Sequence, residues 1–164
     1  MADDGVDRIL EQWATERPEL KTESMGVFGR IYRIARASGD AMTAAYGQFG
    51  ITRADFDVLA TLRRSGPPFA LAPSALTASL MLTSGGLTGR IDRLERAGLV
   101  ARSPAPTDRR GLLVTLTDRG REIVDDAVVA GLAAQDRMLA ALAPARRRQL
   151  DDLLRELLGA VSAS

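Results

Sequence analysis

The chain has no cysteine and no histidine. That excludes disulfides, thiol catalysis, cysteine-based redox sensing and the usual zinc sites. It also removes the commonest general base near neutral pH. Aromatic residues are 4% of the 164 positions, with one tryptophan, Trp13. Lysine occurs once, at Lys21, so nearly every cation is an arginine. A GC-rich coding sequence accounts for that bias, which is not a functional signal by itself. Neither charge sign dominates: 22 basic against 21 acidic residues give a net +1, a balance that singles out no partner. The distribution is less even. The chain is mostly acidic through Glu23, whereas arginine dominates from Arg90 to Arg121. Such asymmetry can mark a basic face for an anionic polymer.

Long apolar runs are also missing. The uncharged stretch from Ser65 to Gly89 has the length of a bilayer span. It is interrupted by Pro67, Pro68, Pro73, Gly85 and Gly86 and is rich in serine and threonine, whereas a span needs continuous bulky apolar residues. The start of the chain shows no basic-then-apolar secretory pattern. A cytoplasmic protein with no membrane partner is expected. No metal cluster, cofactor motif or activated nucleophile is visible. Gly86-Leu87-Thr88-Gly89-Arg90 lacks the spacing and the lysine of a phosphate-binding loop. The acid pairs Asp125-Asp126 and Asp151-Asp152 sit in amphipathic segments as solvated faces. An enzyme is therefore not expected, and no metal or cofactor.

Apolar residues make up 46% of the chain, enough for a packed core. Val6, Ile9, Leu10 and Trp13 recur at helical spacing and predict a short helix from Gly5 to Ala14, closed by Pro18. Leu20 to Tyr46 predicts a long helix, ended by Gly47 and Gly50. Thr52 is placed to cap the next helix, with Asp55 three positions on as a capping box; Phe56, Leu59 and Leu62 form its stripe. Pro73 opens a short helix to Leu80. Thr83 or Ser84 caps another that runs to Ala97, with Leu87, Ile91 and Leu94 inward and Gly98 just past its end. The period then changes to two strands, Leu99 to Ser103 and Leu112 to Leu116, around a turn-rich tip from Pro104 to Gly111. Asp118 to Leu142 and a leucine-rich last segment after Pro144 return to helix. The last stripe finds little core within so small a chain, so a second copy is its natural cover.

The expected fold is mainly α: a winged helix-turn-helix with flanking dimerisation helices. Residues 1–50 would supply N-terminal helices for dimerisation and an effector cleft, 51–117 the winged DNA-binding domain, and 118–164 the C-terminal dimerisation helices. Two helices joined by a short turn and followed by a basic hairpin suit duplex DNA. The second helix enters the major groove with its N-terminal turns, and the wing reaches phosphates or the adjacent minor groove. With Leu87, Ile91 and Leu94 inward, Ser84, Gly85, Thr88 and Gly89 face DNA, and Arg90 and Arg93 are expected among the DNA-binding residues. Each glycine inside a helix costs roughly 1 kcal/mol against alanine, so close approach of backbone to DNA is one reason for them; a loose, late-starting helix is another. At the wing, Arg109 and Arg110 occupy an exposed tip from which an arginine can enter a narrow minor groove. Asp108 repels phosphate and is placed to hold the tip.

The run from Thr83 to Val100, and Asp108-Arg109-Arg110-Gly111 followed by Leu116-Thr117 and Gly120, resemble the recognition helix and wing of the MarR family of bacterial regulators. The resemblance implies that Arg110 enters the minor groove with Asp108 as its anchor. The N-terminal segment Trp13-Ala14-Thr15-Glu16-Arg17-Pro18 is similar to the urate-responsive branch of that family. That similarity implies an effector site at Trp13, Asp57, Arg90 and Arg102; Trp13 also suits a core anchor of the N-terminal helix, Asp57 a surface acid and Arg90 a phosphate contact. The function expected is a sequence-specific transcriptional regulator, a homodimer on a pseudo-palindromic operator in double-stranded DNA, repressing until a small aromatic or urate-like anion releases it. An effector-blind DNA binder and a winged-helix protein-interaction module are the alternatives.

Overall fold

A computed structural model describes residues 3–80, 84–105 and 108–162, together with the side chains of these residues except 84, 85 and 108–110. The chain forms two compact units, Met1–Ala41 and Met42–Ser164.

The first unit holds α1 (Asp7–Glu16) and the long α2 (Glu23–Gly47) up to Ala41; the last residues of α2 belong to the second. Small residues on α2 admit α1: a methyl group on Gly29 would stand 3.1 Å from Val6 Cγ1, and one on Gly26 3.2 Å from Leu10 Cδ1. Val6 is buried there. Arg30 ties the start of α1 down, donating to Asp4 at 2.9 Å and to Asp7 at 2.5 Å. Hydrogen bonds from the backbone N–H of Val6 to Asp4 and of Asp4 to Asp7, with the Arg30 guanidinium beside them, hold both carboxyls below their ordinary value.

The second unit is a helical layer with a small sheet. Helix α3 (Arg53–Arg64) begins at the expected cap: Thr52 Oγ1 accepts from Asp55 N at 3.1 Å, and Asp55 Oδ2 accepts from Thr52 N at 3.0 Å. It is followed by β1 (Ala70–Leu71), α4 (Pro73–Leu80), α5 (Ser84–Arg96), β2 (Val100–Ala105), β3 (Asp108–Leu116), α6 (Asp118–Leu139) and α7 (Pro144–Ser162). The sheet order is β1-β3-β2, all antiparallel. Val100 faces Leu116 and Pro104 faces Leu112, with an irregularity after Pro104.

Three features differ from the sequence expectation. The wing strands are longer than Leu99–Ser103 and Leu112–Leu116, reaching Ala105 on one side and starting at Asp108 on the other. Pro104 is tolerated because β2 is an edge strand, which leaves an N–H position without a ladder partner. A third strand, β1, pairs with Val114 and Thr115 of β3. Helix ends also shift: α1 lies two residues later than periodicity suggests, α2 starts at Glu23 rather than Leu20, and α6 stops at Leu139 rather than Leu142.

The core gathers Val58, Leu59 and Leu62 of α3, Leu76 of α4, Leu87, Ile91 and Leu94 of α5, Val100 and Val114 of the wing, and Val124 and Ala127 of α6. Tyr46, in the last turn of α2, stacks on Phe56 with ring centroids 4.1 Å apart. Phe69 has a left-handed backbone (φ 59°), held between the guanidiniums of Arg63 and Arg121 at 5.1 and 5.8 Å from the ring centre. Its carbonyl accepts from Leu116 N and so extends the sheet.

The end of α5 is pinned to the start of α6. Gly98, at φ 70°, turns the chain out of α5, and its carbonyl accepts from Thr117 Oγ1 at 2.8 Å. The same hydroxyl caps α6 by accepting from Gly120 N at 2.9 Å. A Cβ on Gly120 would lie 1.9 Å from the Leu99 carbonyl oxygen, so only glycine permits this approach. Among the described residues no helix is long and apolar enough to cross a membrane.

Candidate nucleic-acid interface

Helix α5 is held from beneath by Leu87, Ile91 and Leu94, all buried. At 100° per residue, Gly89 and Arg96 fall on the opposite side, and both are exposed. An alanine Cβ at Gly89 would meet nothing within 4 Å, and its backbone is not left-handed. Nothing in the chain's own packing therefore requires glycine here. Thr88 is exposed on the same helix and Arg90 is half-buried. Ser84 and Gly85 form the first turn, where backbone N–H groups have no intrahelical partners. Ser84's side chain lies outside the described residues, as does the alternative cap Thr83.

Ion pairs brace both flanks of α5. On the α3 side, Arg93 donates from Nη2 and Nε to Asp55 Oδ1 at 2.6 and 3.1 Å. Asp55 is buried, with 4% of its side chain exposed, whereas Arg93 keeps half of its own exposed. Burial alone would push the Asp55 carboxyl up; hydrogen bonds from Arg93 and Thr52 outweigh it and hold the carboxyl below its ordinary value. On the wing side, Arg102 donates from Nη2 to Asp92 and from Nη1 to Glu95, each at 2.5 Å. Its backbone N–H donates to Glu95 Oε1 at 3.0 Å. The bond to Asp92 is the main reason the Arg102 guanidinium holds its proton more tightly than usual, with Glu95 adding to it.

The wing follows directly. Asp108, Arg109 and Arg110 form the start of β3, with Asp108 opposite Ala105. Their side chains, and with them the anchoring role given to Asp108 and the groove contact given to Arg110, lie outside the described residues.

Between α4, α5 and the wing is a cavity of about 330 Å³ walled by Pro73, Thr77, Leu87, Thr88, Ile91 and Arg102, among others. Its apolar walls, its hydroxyls and, among the described residues, one cation suit a small flat anion. Of the four effector residues expected from the sequence, Arg102 lines this cavity; Asp57 and Arg90 do not. Asp57 is half-buried on α3, where its backbone carbonyl accepts from Thr61 Oγ1 at 2.7 Å. Trp13, in the first unit, is 39% exposed and lines a shallow depression with Gln12 and Glu16.

Sequence reasoning missed the partners of these arginines. Asp55 was legible only as a cap, and its pairing spans 38 positions. Asp92 and Glu95 carried a usable signal: one turn apart on α5, they lie along the path by which the following strand returns past the helix.

A model described as MarR family matches residues 49–111. The regulator PecS of Dickeya dadantii is 39% identical over 123 residues, 75% of this chain and 74% of that protein. Among solved structures, AbsC, described as a MarR family transcriptional regulator from Streptomyces coelicolor, superposes with a TM-score of 0.76 at 25% identity, covering 88% of this chain and 98% of that one. A mutant MarR from E. coli complexed with operator DNA superposes with a TM-score of 0.72 at 28% identity, covering 85% and 99%.

Proposed function

The chain belongs to the MarR family and is a DNA-binding transcriptional regulator, and from that premise we propose a homodimeric repressor released by a small aromatic anion. Residues 51–117 read the DNA, and the helices on either side, 1–50 and 118–164, join two copies. The carrying observation for DNA is an exposed face of α5 with open space over Gly89, beside a wing that begins Asp108-Arg109-Arg110. The E. coli relative solved on operator DNA supports the same use of this fold.

Dimerisation is supported by apolar surface that a single chain leaves uncovered. Helix α7 buries none of its residues and exposes Leu150, Leu153, Leu154, Leu158 and Val161. A stripe of that size on a helix calls for cover. A two-fold pair would set two α5 helices about one DNA turn, roughly 34 Å, apart on a pseudo-palindrome.

The release step rests on Arg102. It is the only charged residue lining the 330 Å³ cavity among the described residues, and it neutralises Asp92 and Glu95 on the flank of α5. A urate-like or salicylate-like anion that takes the guanidinium leaves two carboxylates uncompensated beside the DNA face, where they repel phosphate. A ligand that prefers that arrangement weakens DNA binding by the same factor as its preference.

The test begins with a gel shift on the DNA upstream of the chain's own gene. Fifty-fold random duplex should fail to compete; equal competition removes sequence-specific reading. Arg110→Ala should weaken binding and flatten its salt dependence. Urate or salicylate should release the DNA, and Arg102→Gln should abolish that response; release that persists in the variant places the effector elsewhere.

A further inference from the structure

The capping carboxylate of α3 has a second occupation. Asp55 Oδ2 accepts from the N–H of Thr52 at 3.0 Å and from its hydroxyl at 2.7 Å. A capping box needs no more than the bond to the N-cap N–H from this residue. Oδ1 is left over, and both Nε and Nη2 of Arg93 donate to it. The carboxylate is buried and clamped on one oxygen by its own helix, so it is a fixed point. Arg93 is anchored to that point along its Nε–Nη2 edge, while half of the side chain still meets solvent.

Position does the rest. Arg93 lies one turn after Gly89 on α5, between the open glycine face and the α3 flank. With α5 laid in a groove, a guanidinium at that place would stand toward the bordering phosphates. An unanchored arginine would pay rotamer entropy to make such a contact; an anchored one has given that freedom up already.

We propose that Asp55 is a positioning residue for DNA recognition: it holds Arg93 ready as a phosphate contact and fixes the setting of α5 about its own axis. Asp55 itself does not touch DNA. The inference rests on the DNA-binding reading but goes beyond it, because the capping box becomes part of the recognition apparatus.

The two residues make different predictions in salt. A phosphate contact releases counterions, so losing one makes the slope of log K against log[salt] less negative by about 0.9, or about 1.8 for two copies. Losing an anchor costs affinity without removing a contact, and the slope stays. The probe is a duplex selected from a random library by the wild-type full-length chain. Tighter binding to it than to unselected duplex is the control on which the DNA-binding reading stands or falls. Asp55→Asn keeps a capping oxygen and should bind about tenfold more weakly with the wild-type slope. Arg93→Gln should weaken binding by at least as much and flatten the slope by about 1.8. The double variant should be no worse than Arg93→Gln. Arg93→Lys leaves the cap untouched and keeps the charge but not the fork; it should lose several-fold in affinity at wild-type slope. Each is measured below its own melting temperature, with folding checked by circular dichroism. If Asp55→Asn folds and binds like wild type, whatever its melting temperature, Asp55 is only a helix cap and the proposal fails. If Asp55→Asn does not fold, Arg93→Lys decides alone: wild-type affinity overturns the anchor. An unchanged slope in Arg93→Gln overturns the phosphate contact.

Discussion

Gly89→Ala should make the protein more stable and a poorer DNA binder at once. Glycine inside a helix is disfavoured against alanine by about 0.5–1 kcal/mol. At Gly89 the full gain is available, since a Cβ meets nothing within 4 Å and the backbone is ordinary helix. For a chain of this size that corresponds to a rise in melting temperature of about 1–4 °C. The DNA side has the opposite sign. If the glycine is there because the α5 backbone comes close to the duplex, an added methyl must be accommodated in a packed contact, at about 1–3 kcal/mol. Two copies act on each operator, so the loss is about 2–6 kcal/mol, or at least roughly 30-fold in affinity. Thermal melts followed by fluorescence anisotropy on a selected duplex, at one fixed salt concentration, measure both. Undiminished affinity would refute close backbone approach. A lowered melting temperature would refute the open space around the residue.

Gly120→Ala should do the reverse of Gly89→Ala, destabilising by about 3 kcal/mol or more, because its Cβ would fall 1.9 Å from a backbone oxygen that cannot move without shifting the end of α5; urea midpoints report it. Acid should remove a specific increment of stability. Since the folded Asp55 carboxyl lies below its ordinary value of 3.8, its contribution is complete above that value and is lost as pH falls through the folded one; Asp55→Asn should melt with a shallower acid dependence below pH 4. Replacing Leu154 and Leu158 together by glutamate should yield monomers in light scattering and weaken operator binding, whereas a dimer that survives would move the interface away from α7.

Much of this architecture is legible in local chemistry. Thr52 and Asp55 mark the start of α3 because the cap is made within four residues. Gly98 marks the end of α5 because only a left-handed residue turns the chain there. Leu87, Ile91 and Leu94 mark the inward face of α5 because a helix repeats every 3.6 residues. What could not be read is what distant segments do to each other. The two-residue β1 has no period to detect, and its existence depends on β3 passing alongside. The early start of β3 depends on Asp108 pairing with Ala105 across the hairpin, past a register irregularity, against a local composition that favours a turn. Arg93 and Arg102 look alike as cations in the sequence, yet one closes from α5 on α3 and the other from β2 on α5. Gly120 stood out by resemblance alone; its reason, the Leu99 carbonyl, lies 21 positions away.

The three-stranded sheet has one more consequence, set by its borders. On one side β1 offers only two residues, and on the other β2 carries Pro104 next to its last residue, followed by a register irregularity. The β2 border does not present the long, flat row of unpaired amides on which a foreign strand nucleates, and β1 covers the other border at Val114 and Thr115. An irregular border of this kind resists zipping onto the strand of a neighbouring molecule.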